Sequence, residues 1–132
     1  MGDRGNIEVG GVNLYGHWSG SELPRILQEA LAKRWRWTDG GYLARIVFCR
    51  MVRGSEEVET GFGISPAGEL PDNEYPVLRV DTATGRVYML SEDAARARAP
   101  HSAAMASWTF ERYCALDLAG VNAWAVLKAP AS

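Results

Sequence analysis

Val77-Leu78-Arg79-Val80-Asp81-Thr82-Ala83-Thr84-Gly85-Arg86-Val87-Tyr88-Met89-Leu90 is the stretch that decides the fold. Two apolar runs rich in β-branched residues flank Asp81-Thr82-Ala83-Thr84-Gly85, a string of turn-forming residues ending in glycine, and this pattern predicts a β-hairpin. An isolated hairpin is marginal in water, so the rest of the chain has to cover its apolar side.

Working towards the N-terminus, residues 66–76 hold three prolines and Asp72-Asn73, which reads as loop. Before it, Glu59-Thr60-Gly61-Phe62-Gly63-Ile64-Ser65 reads as a strand whose glycines permit a bulge or a close backbone approach. Residues 41–52 carry Tyr42, Leu43, Ile46, Val47, Phe48, Met51 and Val52, a helix apolar on more than one side, with Thr38 as its expected N-cap. It is expected to be the most buried helix. Leu23, Ile26, Leu27, Ala30 and Leu31 make a single stripe on an earlier helix, for which Ser21 is the expected N-cap and Pro24 falls in the first turn. Residues 12–15 read as a short strand leading into this helix through Gly16-His17-Trp18-Ser19-Gly20.

Beyond the hairpin, residues 91–106 are rich in Ala, Arg and Ser around Pro100, and a surface loop is expected there. Thr109 is placed to cap a short helix holding Phe110 and Tyr113, and residues 121–127 read as a last strand. The sum is a single α+β domain over residues 1–132, a mainly antiparallel sheet packed against two helices from the N-terminal half.

Composition bounds the function classes. With 132 residues, 47% hydrophobic and 23% charged, the chain has enough core for one globular domain and is neither disordered nor fibrous. It lacks the apolar run of a membrane span and the N-terminal pattern of a secretory signal, so a cytoplasmic location and no membrane partner are expected. A formal net charge of −2 argues against dedicated nucleic-acid binding. The charge is segregated, however. Residues 25–53 carry seven basic side chains against Glu29 and Asp39, whereas residues 54–76 carry Glu56, Glu57, Glu59, Glu69, Asp72 and Glu74 and no basic one. Mutual neutralisation of these runs is one expectation, and a pocket whose arginines hold an anion is the other. Cys49 and Cys114 match no redox or metal spacing and read as reduced core residues; no metal, cofactor or catalytic group is expected.

Three regions carry chemistry suited to a ligand. His17, Trp18, Ser19 and Ser21 run from a strand into a helix start, where free N–H groups favour an anion and a ring can stack on a base. Arg45 and Arg50, beside Arg34-Trp35-Arg36-Trp37, suit phosphate clamping with stacking. Thr60 and Phe62, with Asn73 and Tyr75 beyond them, suit contacts to the polar edge of a base or to ribose hydroxyls. Each region also has a purely structural reading: a tight turn, a helix end whose tryptophans close the core, and strand sterics with a turn.

The stretches Leu14-Tyr15-Gly16-His17-Trp18-Ser19-Gly20-Ser21-Glu22-Leu23-Pro24, Tyr42-Leu43-Ala44-Arg45-Ile46-Val47-Phe48, Glu59-Thr60-Gly61-Phe62-Gly63-Ile64-Ser65 and Asp72-Asn73-Glu74-Tyr75-Pro76 resemble a family of small proteins of phages and bacterial genomes with no assigned activity. The resemblance spans residues 7–90 and implies no particular chemistry. The phage origin it implies fits one role, anti-defence by sequestration: a homo-oligomer holding a nucleotide-derived immune signal without turnover. The alternatives are a protein-interaction module anchored on Trp35, Trp37 or Trp108, and a small nucleotide hydrolase with His17 as general base.

Overall fold

Gly10 and Gly11 take φ of 60° and 84°, the left-handed values a two-residue hairpin needs, and they join β1 (Gly5–Val9) to β2 (Val12–Gly16). Gly10 is sterically required as well, because a Cβ there would strike the Gly40 carbonyl. The structure, a computed structural model, describes residues 2–119 and 122–129. Its remaining elements are α1 (Leu23–Leu31), α2 (Gly40–Met51), β3 (Phe62–Pro66), β4 (Val77–Asp81), β5 (Arg86–Leu90), α3 (Glu92–Arg96), β6 (Ala106–Thr109), α4 (Phe110–Cys114) and α5 (Ala123–Lys128).

The six strands form one sheet in the order β3-β2-β1-β4-β5-β6, antiparallel throughout except where β1 runs parallel to β4. The expected hairpin is β4–β5, with Asp81 opposite Arg86. Alternation along the strands sends Ile7, Val9, Leu14, Leu78, Val80, Val87 and Met89 to one face, where they meet Leu23, Leu27 and Leu31 of α1 and Leu43, Ile46 and Val47 of α2. Helices α4 and α5 complete that layer through Phe110, Tyr113, Trp124 and Leu127. The opposite face is polar at its centre, with Asn6, Asn13 and Arg79 buried. A small satellite core of Leu70, Val77 and Ala95 places the 66–76 loop and α3 across it. The architecture is α+β. Among the described residues no helix is long and apolar enough to cross a membrane.

Several local expectations are corrected. Ser21 does not cap α1; it sits in a 3₁₀ turn (Gly20–Glu22), and its hydroxyl is turned to Asp3. Asp39, not Thr38, caps α2 by accepting from the Tyr42 N–H at 3.1 Å. Helix α2 buries only one flank and exposes Tyr42, Arg45 and Cys49; Cys49 is therefore no core residue, and Cys114 is half-buried. The expected strand at 121–127 is helical from Ala123, capped by Asn122, with Val121 outside the described residues. The expected loop at 91–106 contains α3, capped by Ser91, and a 3₁₀ turn (His101–Ala103), and the strand β6 begins at its end.

Candidate functional site

Two of the three candidate regions converge at the β2–β3 edge of the sheet, drawn together by the N-terminal segment. Asp3 N–H donates to the His17 carbonyl at 2.8 Å, and Gly20 N–H donates to the Asp3 carbonyl at 2.7 Å. The Asp3 carboxylate accepts from the Ser21 backbone N–H at 3.1 Å, from the Ser21 hydroxyl at 2.5 Å and from the Tyr75 hydroxyl. Burial alone would raise the Asp3 pKa, but these hydrogen bonds outweigh it and hold the carboxyl below its ordinary value. Tyr75 is pushed up to about 12, chiefly by its hydrogen bond to Asp3 and then by burial. The helix start that the sequence offers to an external anion thus already carries a carboxylate of the chain.

Around this pair, the Tyr15 hydroxyl and His17 Nδ1 are 2.7 Å apart, and the His17 ring meets Trp18 edge-on at 5.0 Å. Trp18, 57% exposed, lies over Gly61, whose φ of 105° and missing Cβ make room for the indole; the neighbouring Thr60 is exposed. Phe62 pairs opposite Gly16 and packs on the core. Ser19 Oγ is buried with no hydrogen-bond partner among the described residues. Asn73 accepts from Asn6 at 3.0 Å and donates to Glu92 at 3.2 Å. The side chain of Arg4 is committed to Asp72 at 2.9 Å and to Glu74 at 3.0 Å, and its backbone N–H and guanidinium hold Glu74 below the usual carboxylate range. Asp3, Asp72 and Glu74 leave the edge acidic, the wrong sign for an anion.

Arg45 and Arg50 lie elsewhere, on α2. Arg50 pairs with Glu29 at 2.9 Å. Arg45 is exposed, and among the described residues its one side-chain hydrogen bond is a long one, 4.0 Å, to Cys49 Sγ. It borders the linker 32–39 between α1 and α2, where Arg34 (φ 61°) and Arg36 (φ 56°) both occupy the left-handed region. Trp37 folds inward: its indole N–H donates to the Leu31 carbonyl at 3.0 Å, and its ring meets Phe110 at 5.3 Å. Trp35, between the two left-handed arginines, stands 58% exposed with the Lys33 ammonium 4.8 Å from its ring. The Arg36 guanidinium lies 4.2 Å over Tyr42, which is 49% exposed and shares a shallow depression of about 440 Å³ with Asp39, Gly41 and Arg45. Arg34 is bonded to Glu111 through both guanidinium termini.

Among the described residues, Lys33, Arg36 and Arg45 form no ion pair, and no ion pair joins Lys33, Arg34, Arg36, Arg45, Arg50 or Arg53 to the acidic run at 54–76. These six cations therefore do not neutralise the acidic run by direct pairing.

A further constellation escaped the sequence reading. Arg79, buried in β4, pairs with Glu8 of β1 at 2.9 Å and donates to the Ala99 carbonyl at 2.7 Å; His101 stacks on Tyr88 at 4.0 Å with Nε2 3.1 Å from Asp81. The available signal was an arginine in the middle of the apolar run Val77-Leu78-Arg79-Val80, a position that requires an acid nearby. Among the described residues no cluster of three or more His, Cys, Asp or Glu is arranged to hold a metal ion. Comparison with family models, curated proteins and solved structures finds no match.

Proposed function

We propose that the protein is a non-catalytic binder of a small anionic, nucleotide-like ligand, and that the binding surface is the α1–α2 linker with the adjoining flank of α2. The observation that carries this reading is the pairing of two exposed rings, Trp35 and Tyr42, with three cations, Lys33, Arg36 and Arg45, that have no carboxylate partner among the described residues. Rings offer stacking to a base, and the cations offer charge-assisted hydrogen bonds to phosphate. The backbone supports the same assignment. Left-handed φ at a non-glycine residue costs on the order of 1–2 kcal/mol, and two such residues bracket the most exposed ring of the patch. Holding a signal without turnover requires affinity below the signal's concentration and no transition-state stabilisation, which fits the anti-defence role that a phage origin would give.

The test is calorimetric titration of the full chain with linear and cyclic nucleotides at low and moderate salt, with mass analysis of the recovered ligand. Binding is expected to weaken with salt, and Trp35→Ala and the double variant Arg36→Ala/Arg45→Ala are each expected to lose on the order of tenfold in affinity. Absence of heat with every nucleotide overturns the reading, and recovery of hydrolysed ligand replaces it with an enzyme.

A protein-interaction reading draws on the same exposed ring. Of the tryptophans considered as anchors, Trp37 and Trp108 are half-buried and only Trp35 stands clear. It predicts a partner captured by the wild type and lost with Trp35→Ala, without any nucleotide response.

A further inference from the structure

The polar face of the sheet carries a cleft of about 470 Å³, formed by the β1–β2 turn, the end of β4 and residues 98–101. It shares no lining residue with the depression of the linker patch, and its residues have no part in the reading above. Arg79 lines it with a side chain only 9% exposed. Nε of that guanidinium is committed to Glu8, and Nη1 to the Ala99 carbonyl and, at 3.4 Å, to His101 Nδ1. The other terminal nitrogen donates no hydrogen bond among the described residues, although it belongs to a group with five N–H donors. Among the described residues the side-chain atoms buried without a partner are Asn13 Oδ1 and Ser19 Oγ, so this nitrogen is reached by solvent and can present its donors to the cleft that Arg79 lines.

Arg98 stands at the rim of the same cleft. It follows the C-cap of α3, and the closing geometry is a Schellman motif: Ala99 N–H donates to the Ala94 carbonyl at 2.9 Å, and Arg98 N–H to the Ala95 carbonyl at 3.1 Å. That motif puts its penultimate residue in the left-handed region, where glycine is usual, and Arg98 adopts φ 53° despite its Cβ. Its side chain runs past Gly68, where a Cβ would come within 2.8 Å of Arg98 Cγ. Among the described residues its guanidinium has neither a hydrogen bond nor an ion pair. The position thus holds an unpaired cation where helix termination alone would favour glycine.

The remaining charged groups of the cleft have hydrogen-bond partners in place. Glu8 is matched by Arg79. Asp81 accepts from His101 Nε2 at 3.1 Å, from the Thr84 hydroxyl at 2.8 Å and from the Thr84 backbone N–H at 3.2 Å. Among the described residues Arg98 is left as the charged side chain of the cleft without a partner, with an unused donor of Arg79 in the same cleft.

We infer that this cleft is a second binding site, for a small molecule bearing one oxyanion group, a carboxylate or a singly charged phosphate, held between Arg98 and Arg79. Planar guanidinium groups suit the paired oxygens of such groups. Glu8 and Asp81 set the upper limit on charge, because a polyphosphate brought to this cleft would face two carboxylates. The two sites therefore have opposite preferences: the linker patch gains from added phosphates and the cleft loses.

The experiment is an amide NMR titration of the full chain with acetate, inorganic phosphate and a nucleoside triphosphate at constant ionic strength. Saturable shifts at Gly10, Gly11, Thr82 and Ala99 are expected with acetate and phosphate and not with the triphosphate. Arg98→Gly is expected to weaken them by about tenfold while raising the thermal midpoint, since glycine removes the left-handed strain. Arg36→Ala should leave the cleft shifts unchanged, so failure of the patch reading and failure of this one are told apart. Absence of saturable shifts at the cleft, or undiminished affinity in Arg98→Gly, overturns the inference.

Discussion

The β2–β3 edge and the α1–α2 linker are built from the same ingredients, arginine beside aromatic rings, and they differ in how the chain treats their charge. At the edge, Arg4 reaches acids about 70 positions away, and Asp3 occupies the helix start with Ser21 and Tyr75 as its donors. At the linker, Arg34 finds Glu111, but Lys33, Arg36 and Arg45 find no acid among the described residues. The rings differ as well. Tyr75 stacks on Trp124 in the interior, whereas Trp35 and Tyr42 face outward with a cation over each. The fold supplies the arginine with internal acids at the sheet edge, and among the described residues it withholds them from Arg36 and Arg45 at the linker.

The largest effect should come from breaking the edge. Asp3→Ala leaves the Ser21 and Tyr75 donors without their acceptor, and a loss of about 1–2 kcal/mol in urea denaturation is expected. The same change should give the edge weak phosphate binding that the wild type lacks there, seen as new amide shifts at Ser21; unchanged stability would show that Asp3 does not seal this end.

Titration sharpens the same contrast. Tyr75 has its pKa raised in the folded state, so the stability it contributes is complete below its ordinary value of 10.0 and is lost as the pH rises towards about 12. Asp3 is lowered, so its contribution is present above its ordinary value and is lost as the pH falls through the depressed one. Wild type should therefore lose stability relative to Tyr75→Phe between about pH 10 and 12, with the buried Tyr113 cancelling in the comparison. Superimposable urea midpoints over that window would remove the Asp3–Tyr75 bond from the account.

The smallest effect belongs to the linker backbone. Arg36→Gly relieves left-handed strain worth roughly 1 kcal/mol and loses a cation–π contact worth about 0.5 kcal/mol, so strain relief wins and stability should rise by about 0.5 kcal/mol. Nucleotide affinity should fall in the same variant. A fall in stability would mean that Arg36 is there to hold the linker together.

Much of the fold was legible before the structure. The β4–β5 hairpin, the stripe of α1, the core of α2 and the strand β3 follow from periodicity and turn chemistry, which act between near neighbours. The strands β1 and β6 were not, although each contributes to the sheet. Asn6 and Glu8 interrupt the apolar run of β1 because they face a polar layer assembled from β2, β4 and the 66–76 loop. Residues 106–109 gain their strand character only by pairing with β5. Residues 121–127 read as a strand because a short apolar run does not separate strand from helix; in the structure Ala123, Trp124 and Leu127 are the buried positions of α5, an i, i+1, i+4 spacing that only a helix puts on one face.

The candidate site divided along the same line. Local sequence nominates His17, Trp18 and Ser21 in one region, Phe62, Asn73 and Tyr75 in another, and Arg45 and Arg50 in a third; the structure gathers the first two at one edge and leaves the arginines on α2. What they share there includes Asp3, a residue of their own chain. Which helices form, which turns close and which side chains prefer water are set within a few residues by steric and solvation preferences carried in the order of amino acids. Whether Arg4, Arg79 or Arg50 meets an acid, while Arg36, Arg45 and Arg98 meet none among the described residues, depends on charges brought together across tens of residues. Coulomb and hydrogen-bond energies act through space, so the tertiary structure alone decided which cations the chain answers and which remain available to a partner.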